Sequence, residues 1–236
     1  MQKSITHAVG ALIMVSAGML FLPVTTAHAF VITGQLTGDI RTANPDNLFV
    51  DVTITVNDAT KNTASWVVDI NSPLHPKVKL DEFYFNLAST IAPGNLTFSG
   101  FNPLGWAINS SNVVVQGVGG ATFQFEALNG ATGNNKIDVT NSQNLTFNMI
   151  LSTGIFTAND FLNAPISNSN DAGSGQMGAH LQSLNASQGQ SDSGFAFGDY
   201  ESGVNPSEIP EPTTHLLLGL GLLGLLFTRR VVRRTS

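Results

Sequence analysis

The chain has 236 residues, with ten Lys and Arg against sixteen Asp and Glu, a formal charge of −6, and no cysteine. The missing cysteine excludes a disulfide framework and cysteine-based zinc sites, so hydrophobic burial has to supply the stability. The acidic balance excludes nucleic acid as a partner of the interior, because phosphate neutralisation needs clustered Lys and Arg.

At the start of the chain, Lys3 precedes an apolar stretch over residues 9–21, and the small-residue sequence Ala27-His28-Ala29 follows. A charged start, an apolar centre and an A-x-A exit form the plan of a secretory signal peptide. The apolar stretch falls short of the about 20 helical residues that span hydrocarbon. Residues 1–29 therefore read as a removable signal, cut by signal peptidase between Ala29 and Phe30.

Residues 30–197 are written as strands and turns. Leu48, Val50, Val52, Ile54 and Val56 alternate with Asp51, Thr53, Thr55 and Asn57, a period of two that wets one sheet face and buries the other. Shorter alternations follow at Trp66, Val68 and Ile70, at Phe83, Phe85 and Leu87, and at Phe123 and Phe125. Ile137 with Val139, then Leu145, Phe147, Met149 and Leu151, continue the pattern, and the apolar patch Val113 to Val115 suits a central strand. Proline-, glycine- and asparagine-rich breaks at residues 72–76, 92–95 and 129–135 supply turn chemistry. A short helix is expected around residues 157–162, capped by Thr157 or Asn159. Residues 167–175 read as a mobile loop, residues 178–184 and 193–198 as two closing strands, and residues 198–208 as a linker. The fold expected is all-β, an antiparallel, jelly-roll-like β-sandwich with one short helix.

Beyond the linker, Pro210-Glu211-Pro212 precedes a twelve-residue apolar run over 216–227, and Arg229, Arg230, Arg233 and Arg234 follow at once. At 1.5 Å per residue such a run covers about 18 Å, a marginal transmembrane helix, and the arginines act as a membrane stop with the cytoplasm on their side. This conjunction over residues 209–236 resembles the PEP-CTERM sorting signal. The resemblance implies recognition and cleavage by an exosortase near Pro210, Glu211 and Pro212, with transient membrane contact, in a Gram-negative organism that makes extracellular polysaccharide. Residues 159–165, 179–182 and 193–195 also resemble the end of ectodomains that accompany this tail. Without the signal peptide and the arginine-bearing end, five basic residues stand against the sixteen acids between Asp39 and Glu211, leaving −11 and a self-repelling, soluble exported part.

Chemistry is sparse in that domain. His75 and His180 are its histidines, neither in a nucleophile-elbow setting, and two separated histidines without cysteine give no close-spaced zinc ligands. Asp138, Asn141 and Asn144, or Asn168, Asn170 and Asp171, offer oxygens to calcium or are solvated turn residues. Asp81 and Glu82, as neighbours on a strand, are expected to face opposite sides, which rules them out as a facing carboxylate pair by themselves. Trp106 follows a loop and is a candidate platform for a sugar ring, whereas Trp66 reads as core. The resulting expectation is a noncatalytic exported surface or matrix protein without cofactor or metal, associated with extracellular polysaccharide or biofilm. A carbohydrate-binding module and a polysaccharide-modifying enzyme are the alternatives.

Overall fold

A computed structural model describes residues 30–130 and 137–203. The described chain runs β1 (Phe30–Thr37), β2 (Phe49–Val56), β3 (Thr63–Ile70), β4 (Lys79–Phe85), β5 (Leu96–Asn102), β6 (Trp106–Asn109), β7 (Val113–Val114) and β8 (Thr122–Phe123). It continues through β9 (Phe125–Asn129), β10 (Leu145–Leu151), helix α1 (Asn159–Leu162), β11 (Ser167–Ser169), β12 (Gly173–Gly175), β13 (Met177–Gln182), β14 (Ser193–Gly198) and β15 (Glu201–Ser202).

Most of these strands join one antiparallel sheet in the order β5-β10-β3-β2-β1-β14-β13-β4-β9-β6, with β15 beside β1. The hydrogen-bonded path is thus continuous rather than split into two facing sheets. Its two ends, β5 and β6, are consecutive in the chain and lie alongside each other, so the sheet curls until it nearly closes. Curling gives every strand one face toward a shared interior, which is why the period of two is so clean on β2, β3 and β10.

The interior is centred on Trp66, which is 1% exposed. Its ring stacks on Phe147 at 5.4 Å and lies 4.7 Å from Phe85 and 6.2 Å from Phe83. Helix α1 brings Phe161 to 6.1 Å, and Tyr200, past β14, closes to 6.3 Å. The helix is one turn long and depends on this packing. Ala158 occupies its cap position, and the stabilising side chain is that of Asp160, which accepts hydrogen bonds from the Thr157 backbone N–H and hydroxyl at 2.7 and 2.9 Å. The expected side-chain cap from Thr157 or Asn159 is therefore replaced by an acceptor reaching back from inside the turn.

A smaller cluster covers the outer face of β4, β13 and β14, with Tyr84, Phe123, Phe195 and Phe197 buried under Val115 and Val118. Val113 and Val114 belong to the two-stranded β7–β8 hairpin that forms this cover, not to a central strand. Phe123 joins the outer cluster while Phe125 joins the main core, so that pair serves two cores. Ile137 is exposed and Val139 makes a single bridge to Leu80 in place of a strand. Residues 167–175, expected as a mobile loop, form the β11–β12 hairpin. Its Gly175 packs against Gly198 so closely that a Cβ would come within 2.5 Å of the Gly198 carbonyl oxygen, and a Cβ on Gly198 would meet the Gln35 carbonyl oxygen at 2.4 Å. Backbone meets backbone there, and only glycine fits.

The expected linker begins later than residue 198. Glu201 and Ser202 pair with Thr33 and Ile32, and the Gly203 N–H bonds the Val31 carbonyl at 2.9 Å. Among the described residues no helix is long and apolar enough to cross a membrane.

Trp66→Ala is expected to lower the unfolding free energy by about 3–5 kcal/mol, because the surrounding rings belong to four separate elements and cannot all collapse into the cavity. Thr53→Ala on the wet face is expected to change it by no more than about 0.5 kcal/mol. Denaturant unfolding of the exported protein measures both.

Candidate functional site

On β4 the residues facing the main core are Leu80, Phe83 and Phe85, spaced by three and then by two. The register explains the break: Leu181 of β13 pairs with Leu80 and His180 pairs with Glu82, which leaves Asp81 as an extra residue in a β-bulge. A regular strand would send Asp81 and Glu82 to opposite faces. The bulge turns both toward His180 instead, which corrects the expectation from sequence. His180 Nδ1 lies 3.1 Å from Asp81 Oδ2 and 3.6 Å from Glu82 Oε2. These three donor-bearing side chains form a close-spaced His/Asp/Glu set that spacing along the chain does not disclose.

Each member is held in place. Tyr84 donates its hydroxyl to Glu82 Oε2, and Gln182 Nε2 donates to Asp81 Oδ2 at 2.7 Å. The His180 ring stacks on Phe195 at 4.4 Å and 11°. The Arg41 guanidinium stands 5.7 Å from the same Phe195 ring, anchored by Asp39 at 2.5 Å. Burial raises the Asp39 carboxyl, but hydrogen bonds from Arg41, Asn44 and the Phe195 N–H outweigh it and hold the group ionised.

The carboxylates near this cluster are pushed in opposite directions. The hydrogen bond with His180, helped by Tyr84, holds Glu82 below the ordinary glutamate value against the effect of burial. Glu126 pairs across from Tyr84, one row away, and burial together with the Glu82 charge raises it even though Asn109 donates to it at 3.3 Å. Burial and the Glu82 carboxylate push the Tyr84 phenol far upward, so it remains a hydrogen-bond donor.

The other candidates fall elsewhere. Trp106 is 4% exposed, packed in the main core, with an indole N–H that finds no partner among the described residues, so its ring face is not offered to a sugar. His75 is also buried, its Nε2 donating to the Asp46 carbonyl at 2.8 Å and its Nδ1 accepting from the Asn185 N–H at 3.0 Å. Asp138 is engaged by Lys79 and Asn141 by Ser72 and His75. Asn170 donates to Gly119, and Asp171 accepts from Ser169. Two side chains of each loop set are thus engaged in contacts within the protein. Ala27, Ala29, Pro210, Glu211, Pro212, Arg229, Arg230, Arg233 and Arg234 lie outside the described residues, and Phe30 opens β1.

A second surface is visible only once the strands are paired. Across the outer face of β1, β2, β3, β10 and β5 run Val31, Thr55, Ser65, Asn148 and Ser99 in one row, and Thr33, Thr53, Val67, Thr146 and Asn102 in the next. This face is dominated by hydroxyl and amide groups. Ser65 already donates to Asn148 Oδ1 at 2.9 Å across the pairing.

The opposed carboxylates give a signed pH test. Glu82, whose folded-state value is lowered, contributes stability at neutral pH that is lost as pH falls through that value. Glu126, whose value is raised, costs stability at neutral pH, a cost relieved below the ordinary glutamate range. Glu126→Gln should therefore raise the thermal midpoint at pH 7, and Glu82→Gln should lower it. Both differences should shrink toward pH 3 in melts followed by circular dichroism.

Comparison with curated proteins and with solved structures finds no match. Comparison with protein families finds the PEP-CTERM protein-sorting motif at residues 208–234, beyond the point where β15 leaves β1. The match covers the tripeptide, the apolar run and all four terminal arginines. By that match the chain carries a PEP-CTERM protein-sorting motif, which supports an exported protein sorted by exosortase.

Proposed function

We propose that the protein is a noncatalytic component of the cell surface or extracellular matrix of a Gram-negative bacterium, delivered through its sorting motif and associated with exopolysaccharide or biofilm. The observation that carries this reading is the motif at residues 208–234, which follows a β-rich domain ending at β15. Delivery proceeds by signal-peptide removal before Phe30, a pause at the inner membrane through the apolar run over 216–227, and exosortase cleavage near Pro210-Glu211-Pro212. The run is too short for a lasting anchor and suits transient use, as in signals whose hydrophobic tail is discarded after recognition.

The hydroxyl- and amide-bearing face of β1, β2, β3, β10 and β5 supports a glycan-facing role. Such groups donate and accept hydrogen bonds with sugar hydroxyls, and an extended sheet face spreads many weak contacts along a polymer. An aromatic platform at Trp106 has no part in this reading, because that ring is core.

Replacing Pro210-Glu211-Pro212 by three alanines should leave an unprocessed, membrane-associated precursor in a host with the cognate exosortase. Deleting residues 216–236 should leave the domain soluble and unsorted. Fractionation with intact-mass analysis measures both, and an alanine variant trimmed and delivered like the parent would overturn the sorting assignment. For the matrix role, the delivered protein is mixed with the host's exopolysaccharide. Co-sedimentation is the expected result, whereas release of soluble sugar would overturn the noncatalytic reading.

A further inference from the structure

We propose that Asp81, Glu82 and His180 hold one divalent transition-metal ion of the zinc class on the outer face of the sheet, an assignment that goes beyond the sorting and matrix reading. The three side chains present one nitrogen and two carboxylate oxygens, all within 4.8 Å of one another. Two donors bound to zinc at about 2.0–2.1 Å with a tetrahedral angle lie about 3.3 Å apart. The separations from His180 Nδ1, 3.1 Å to Asp81 Oδ2 and 3.6 Å to Glu82 Oε2, bracket that value. Only small side-chain adjustments are needed to admit the ion.

The donor chemistry chooses the class of metal. An imidazole nitrogen suits zinc, cobalt, nickel and copper, while calcium and magnesium prefer sets made wholly of oxygen. Two ionised carboxylates with a neutral imidazole neutralise a doubly charged ion. The groups behind the ligands are also those that metal sites use, since Tyr84 orients Glu82 and Gln182 orients Asp81 through hydrogen bonds. Phe195 fixes the plane of the imidazole by stacking.

The site has three protein donors and half-buried side chains, which leaves further coordination to solvent or to an oxygen ligand. It belongs to the sheet's outer face rather than the Trp66 core, so the ion adds to a fold that the aromatic core already supports. His75 does not compete, because both its ring nitrogens are already bonded. Without a metal the same geometry is an ion triad, in which His180 Nδ1 contacts both carboxylates. The two arrangements differ in what they bind.

The test uses the exported protein, untagged and stripped with a chelator, titrated with Zn²⁺ by calorimetry and with Co²⁺ by visible absorption. One saturable site with ligand-field bands is expected. His180→Gln and Asp81→Asn should each weaken binding at least tenfold, and Tyr84→Phe, which leaves all three ligands, should weaken it about tenfold through lost orientation. Circular dichroism unchanged in each variant separates loss of the site from loss of the fold. Should a variant unfold, competition between Zn²⁺ and Co²⁺ on the parent, with the His180 ring signals followed by NMR, decides the question alone. No saturable binding to the parent, or binding that is equally tight in His180→Gln, overturns the metal site in favour of the ion triad.

Discussion

Closure of the sheet around Trp66 is the constraint from which the rest of the structure follows. The ring gathers Phe83 and Phe85 from β4, Phe147 from β10, Phe161 from α1 and Tyr200 after β14, elements spread over more than a hundred residues. Lacking cysteine, the chain has only such contacts to oppose the entropy of ordering so many short strands. The one-turn helix persists because its Phe161 is part of this packing, and Tyr200 ties the chain just before β15 to the same centre.

The same constraint produces the site on the opposite face. Leu80 and Phe83 must both reach the interior, yet two residues separate them, an odd fit for a period of two. The bulge resolves this conflict by placing Asp81 and Glu82 together outside, against His180. An apolar requirement on one side of the sheet thus creates a cluster of polar side chains on the other. The outer cluster around Tyr84, Phe123 and Phe195 lies beside it, and the neighbouring carboxylates diverge: the hydrogen bond with His180 holds Glu82 down against burial, while burial raises Glu126.

The ends of the domain meet. Gly203 bonds to Val31, so the strand that opens the described fold and the segment that leads toward the sorting motif leave from the same place. Six residues separate Gly203 from Pro210, and the seven steps between these two extend at most about 25 Å.

Read alone, the residues specify the sorting motif, the wet and buried faces of β2, β3 and β10, the burial of Trp66 and the closing strands β13 and β14. Each is a local property, carried by motif order, by side-chain alternation or by turn chemistry within a few residues. The strand order that makes one continuous sheet, the burial of Trp106, the two cores that divide Phe123 from Phe125, and the β11–β12 hairpin in a Ser/Asn-rich segment are set by contacts between distant segments. The His180 cluster shows the reason most directly. The irregular spacing of Leu80 and Phe83 was the local trace of a bulge, but only the pairing of β4 with β13, about one hundred residues later in the chain, decides which side chain the displaced carboxylates face.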